Sequence, residues 1–148
     1  MVAKQTEEEG RDVLRILLAE DDVAMRDLLA LSFQRAGWEV TEAADGLQLL
    51  ACLRHVVKKH RPCMFDLIVS DVRMPGARGT SAMSWVSTVP GLPPFIFITA
   101  FGSEAVHEEA RRLGAAAIFD KPFDIDKLLV KARETVRLRE ALTETREE

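Results

Sequence analysis

Seven chemistry-bearing side chains stand where four apolar runs end in this chain of 148 residues. Leu14–Ala19 runs into Glu20-Asp21-Asp22, and Leu67–Ser70 runs into Asp71. Phe95–Thr99 closes on a hydroxyl with Ala100 behind it, and Ala115–Phe119 leads to Asp120-Lys121-Pro122. Two like charges about 4 Å apart repel by about 4 kcal/mol at an effective dielectric near 20. If these acids meet, one carboxyl must take up a proton or a cation must sit among them. Lys121 offsets only one charge. A hard divalent ion with oxygen ligands is the natural solution, and magnesium keeps several waters and needs few carboxylates. Histidine and cysteine are absent from the group, which argues against zinc. Such a site has the parts for phosphoryl transfer. A carboxylate can act as nucleophile and give an aspartyl phosphate, while metal, ammonium and hydroxyl share the charge on the equatorial oxygens. Asp71 suits the nucleophile because it follows the central run Leu67-Ile68-Val69. Glu20 and Asp21 suit the metal, Thr99 and Lys121 suit the phosphoryl oxygens, and Ala100 leaves room for approach.

Those residues act together only if the fold gathers the ends of the apolar runs. The runs are Leu14–Ala19, Glu39–Ala43, Leu67–Ser70, Phe95–Thr99 and Ala115–Phe119, and most are apolar almost throughout. That pattern suits strands covered on both faces, as in a parallel sheet. Helical stretches lie between them. Met25, Leu28, Leu29, Ser32, Phe33 and Ala36 follow i, i+3, i+4 spacing, and Gly37 stops that helix. Asp45 caps a second stretch carrying Leu49, Leu50, Leu53 and Val57, and a short third is expected at Met83–Val86 before Pro90. Ser103 caps a fourth that Gly114 ends, and Asp124 caps a fifth with the stripe Ile125, Leu128, Leu129, Ala132 and Val136. Five strand–helix units imply a doubly wound α/β fold with helices on both faces. In such sheets ligands bind beyond the carboxyl ends of the strands, near the topological switch point. The unusual residues fall there.

The bulk numbers narrow the class. Hydrophobic residues make up 47% and charged residues 30%, the mix of an ordinary globular domain with one core. A net charge of −4 gives no basic footprint for nucleic acid. The opening MVAKQTEEEGRD has no apolar h-region, no run approaches the roughly 20 residues of a membrane span, and the two cysteines fit a reducing, cytoplasmic setting. Residues 1–11 are expected to be disordered, 12–137 to form the domain, and 138–148 to extend the last helix or begin a linker.

Four motifs now bear on the family: ILLAEDD at 16–22, DLIVSDVRMPG at 66–76, ITAFG at 98–102 and DKPF at 120–123. Their order and spacing over roughly 13–137 resemble the receiver domain of two-component response regulators. The resemblance implies a flavodoxin-like sheet of five parallel strands, order 2-1-3-4-5, with five helices. It implies that Glu20 and Asp21 bind magnesium, that Asp71 is the phosphoacceptor and metal ligand, and that the backbone carbonyl of Arg73 completes the protein ligands. Thr99 becomes the switch hydroxyl and Lys121 the phosphate-binding lysine, with a cis Lys121–Pro122 bond. The implied donor is a sensor histidine kinase, and the implied reader is a downstream output domain or protein. A homodimer through the fourth helix, fifth strand and fifth helix also belongs to this picture. The chain departs from the pattern in three places. Ile118 stands where the family carries a switch aromatic, the stretch LRHVVKKHRPCMF is long, and Arg73 places a large cation beside the site.

Plainer readings stand beside these. Asp22 reads as a helix cap rather than a ligand, Met74-Pro75-Gly76 as a turn, Phe123 as core, and His107 as lying on an exposed helix. Cys52, His55, His60 and Cys63 superficially resemble zinc spacing, but Cys52 and His55 fit a helix and Pro62 begins a new segment. The expected role is a switching module that assists only its own phosphorylation and dephosphorylation. The rival is a magnesium-dependent haloacid-dehalogenase-like phosphatase. That family needs a second Asp two residues after the nucleophile, where Arg73 stands. No GxxxxGK or GxGxxG supports a nucleotide enzyme.

Overall fold

The computed structural model describes residues 13–58, 65–74, 76, 84, 93–100 and 102–147. Its strands are β1 (Arg15–Ala19), β2 (Glu39–Ala43), β3 (Leu67–Asp71), β4 (Phe95–Thr99) and β5 (Ala117–Asp120). Its helices are α1 (Val23–Arg35), α2 (Gly46–Lys58), α3 (Glu104–Leu113) and α4 (Ile125–Glu147). The five strands form one sheet in the order β2-β1-β3-β4-β5, and every pairing is parallel. This is the flavodoxin-like arrangement. Among the described residues it carries four helices rather than five. The short helix expected at Met83–Val86 falls outside them except for Ser84, which is helical.

Alternate residues of each central strand feed opposite faces, as a two-residue side-chain period requires. Leu17, Ala19, Ile68, Phe95 and Phe97 pack with Leu49 and Leu53 of α2 and with Val106 and Ala110 of α3. Ile16, Leu18, Leu67, Val69, Ile96 and Ile98 pack with Leu29, Ala30 and Phe33 of α1 and with Leu128, Ala132 and Val136 of α4. The two cores explain why β3 and β4 read as unbroken apolar runs: all five residues of each are buried.

Local signals set the element ends. The side chains of Asp22, Asp45 and Ser103 accept from Met25 N, Gln48 N and Val106 N, and so cap α1, α2 and α3. Asp124 accepts from Asp126 N at the start of α4. Gly37 and Gly114 end α1 and α3 with φ of 95° and 89°, a conformation that favours glycine. Some expectations shift. Leu28 is half exposed, and Ala30 takes its place in the inward stripe because α1 is rotated towards Leu29 and Phe33. β5 begins at Ala117, not Ala115, because Ala115 N still bonds Ala110 O at the end of α3. α4 continues as helix through Glu147, past Val136, the last buried side chain among those described. The expected disordered stretch 1–11, residues 59–64 of the long stretch LRHVVKKHRPCMF, Pro75 and Phe101 lie outside the described residues.

Candidate functional site

The parallel order places the carboxyl ends of β1, β3, β4 and β5 along one edge. Registers Ala19↔Ser70, Asp71↔Ile98 and Thr99↔Asp120 set the residues that follow side by side. The crossovers diverge between β1 and β3, so the switch point lies between Glu20 and Asp71. Carboxylate oxygens of Glu20, Asp21 and Asp71 lie within 4.8 Å of one another. They are the single such cluster among the described residues. Glu20 is fully buried, Asp71 is buried and Asp21 is exposed to solvent.

Lys121 crosses this cluster. Its Nζ donates to Asp71 Oδ2 at 2.8 Å and to Glu20 Oε1. Its backbone N donates to Thr99 O at 2.7 Å, which ties the lysine to the tip of β4. The Lys121–Pro122 bond is cis. Burial opposes the charge on Lys121, but hydrogen bonds to Asp71 and Glu20, with their negative charges, outweigh it and raise the ammonium pKa. Asp71 Oδ1 accepts from Arg73 N at 3.0 Å, so both oxygens of Asp71 are engaged. Thr99 is buried beside them at the strand end, and Arg73 points to solvent.

Glu20 is the strained member. Burial, then hydrogen bonding to and repulsion from Asp71, prevail over Lys121 and push its carboxyl up to about 7. Its Oε2 is buried without a hydrogen-bond partner. An orphaned buried carboxylate oxygen among three oxygen donors, with no nitrogen or sulfur, fits a hard divalent cation. The zinc-like spacing gains nothing: Cys52 is a free, half-buried thiol, and the side chains of His55, His60 and Cys63 are not among those described.

Ile118 lies on β5 opposite Phe97 and packs against the α2–α3 core, an aliphatic side chain where the resemblance expects an aromatic. Phe123 is half buried in the other core, 5.9 Å from Phe119 between ring centroids. His107 is not simply exposed. Its Nε2 lies 2.9 Å from Asp120 Oδ1, beside Lys121. Sequence reasoning also missed Arg26, whose Nη1 donates to Glu20 O at 2.8 Å and whose Nε lies 3.5 Å from Glu42 Oε1. Its partners are a backbone carbonyl and a residue of β2, so no spacing in the sequence pointed to it.

The chain matches the family profile described as "Response regulator receiver domain" over residues 16–133. It is 34% identical over 114 residues to Sporulation initiation phosphotransferase F of Bacillus subtilis, covering 77% of this chain and 86% of that protein. It is 32% identical over 130 residues to the transcriptional regulatory protein PdtaR of Mycobacterium tuberculosis, covering 87% of this chain but only 60% of that longer relative. Its fold superposes on a CheY-like response regulator receiver domain protein from Methanospirillum hungatei JF-1 with a TM-score of 0.78 at 25% identity, covering 88% of this chain and 98% of that one. The chain belongs to the receiver domain family of two-component response regulators. Its relatives are signalling modules rather than conventional enzymes. No helix among the described residues is long and apolar enough to cross a membrane.

Proposed function

We propose that Asp71 accepts a phosphoryl group from the phosphohistidine of a sensor histidine kinase and that the new charge switches a partner-binding face. The observation that carries this reading is the meeting of Glu20, Asp21 and Asp71 at the sheet's switch point under the bridge of Lys121. A carboxylate oxygen of Asp71 attacks phosphorus, the N–P bond of the donor breaks, and the imidazole leaves with its electron pair. Arg73 N steadies the carboxylate as it reacts. Lys121 is already held within reach and takes the charge that develops on the equatorial oxygens. Thr99 turns its hydroxyl to the phosphoryl oxygens. Magnesium, held by Glu20, Asp21, Asp71 and the backbone carbonyl of Arg73, would supply Lewis-acid charge neutralisation there.

The switch is a population shift between two states, limited by how differently a partner binds each. The reading face is α3, β5 and α4, open to a downstream output domain or protein, or to a second copy in a homodimer. Ile118 has no ring to rotate, so coupling between Thr99 and that face runs through the β4–β5 pairing at Thr99↔Asp120. On this reading 12–137 is the receiver unit, 138–148 its charged extension, and the setting cytoplasmic.

Incubation with acetyl phosphate and magnesium, followed by intact mass, should show a single added phosphoryl group. Asp71→Asn and metal-free buffer should each abolish it. Lys121→Ala should still bind the metal but respond weakly. Mass gain that survives in Asp71→Asn would move the acceptor elsewhere, and no gain in the folded parent would end the reading.

A further inference from the structure

The two acids that follow β1 share one peptide plane: the carbonyl belongs to Glu20 and the amide to Asp21. The tilt of that plane sets the direction in which both side chains leave the backbone. Three contacts fix the segment. Glu20 N donates to Ala43 O at 3.1 Å at the end of β2. Asp22 caps α1 through Met25 N. Arg26 Nη1 donates to the shared carbonyl at 2.8 Å. The Arg26 side chain is largely buried, and its Nε reaches Glu42 of β2. One rigid fork therefore joins helix, acidic loop and edge strand.

We propose that Arg26 is a positioning residue that aims Glu20 and Asp21 and thereby sets the affinity of the acidic cluster for divalent cations. This rests on the reading of that cluster as a cation site. The sign separates positioning from charge. A guanidinium near three carboxylates repels an incoming cation, so a role through charge alone predicts tighter binding once Arg26 is neutralised. A positioning role predicts weaker binding, and groups that orient metal ligands typically contribute about 10–100-fold in affinity. Lysine keeps the charge but lacks the planar fork that spans two acceptors.

The test is calorimetric titration of magnesium chloride into the full chain and its Arg26→Met and Arg26→Lys variants, with unfolding in EDTA as the fold control. Arg26→Met should weaken binding about tenfold, and Arg26→Lys should stay weaker than the parent despite its charge. With acetyl phosphate, both should need more magnesium yet reach the parent's rate at saturation, because Asp71 and Lys121 are untouched. Equal or tighter magnesium binding by Arg26→Met overturns the proposal, as does a lowered rate at saturating metal. If Arg26→Met does not fold, Arg26→Lys decides: parent-like affinity overturns the proposal. A parent that binds no magnesium sinks the cation site and Arg26's role with it, whereas a binding parent with unchanged variants sinks only Arg26.

Discussion

Along β3, Leu67, Ile68 and Val69 lie fully buried among hydrocarbon, and two residues later Asp71 is buried among charges. β1 repeats the change within one step, from Ala19 in the core to Glu20 with an orphaned oxygen. Both regions exclude water, yet exclusion helps the first and penalises the second. Burying apolar area stabilises by roughly 25 cal/mol per Å², whereas a buried carboxylate costs free energy unless it is paired or protonated. The sheet body thus stabilises a rim that, without a cation, opposes folding. That difference has tests of opposite sign.

The largest effect lies in the body. Phe97 is fully buried, its ring tilted against that of Phe95 with centroids 5.6 Å apart, and part of the α2–α3 core. Phe97→Ala should destabilise the domain by about 3–5 kcal/mol in denaturant unfolding. Magnesium affinity of the folded fraction should change little, because Phe97 packs on the α2–α3 face of β4 and supplies none of the acidic ligands. A cost well below about 1 kcal/mol would mean that this face can collapse around the cavity.

The rim should respond the other way. Glu20 is raised from 4.5 to about 7. Below pH 4.5 both folded and unfolded chains hold its proton. Between 4.5 and about 7 the unfolded chain releases it while the folded chain retains it. Stability in EDTA should therefore fall as pH rises through that window and level off above it. At 1.36 kcal/mol per pKa unit the ceiling of this loss is roughly 3 kcal/mol. Glu20→Gln removes the titration and leaves an acceptor for Lys121. It should be more stable than the parent in EDTA at pH 8, equal to it near pH 4, and poor at binding magnesium. A parent with the same pH profile as Glu20→Gln would show that burial does not tax this carboxyl.

The same contrast explains what could be read from the residues. The body is legible because apolar runs such as Phe95–Thr99 have one solution, a strand covered on both faces, and the acids that follow them mark the rim. Asp22, Asp45, Ser103 and Gly114 were legible as caps because capping is local chemistry. The rotation of α1 was not, since Leu28 and Ala30 both fit the spacing and only packing against the sheet chooses between them. Arg26 and the His107–Asp120 pair were hidden for a related reason. Their partners are a backbone carbonyl and a residue on another element, and no periodicity points at either.

The smallest effect belongs to the margin between the two regions. A Cβ at Gly102 would overlap Asp120 Oδ1 and come within 2.8 Å of His107 Nε2. Overpacking in a closed core costs about 1–3 kcal/mol, but here the obstacle is a side chain that can swing away, since Asp120 is 54% exposed. Gly102→Ala should therefore cost only about what the pair contributes, and exposed pairs contribute about 0–1 kcal/mol. A double-mutant cycle checks the route. With Asp120→Ala already present, Gly102→Ala should cost less than in the parent, because the carboxylate it displaces is gone. Equal costs in both backgrounds would show that the penalty comes from His107 or from the backbone.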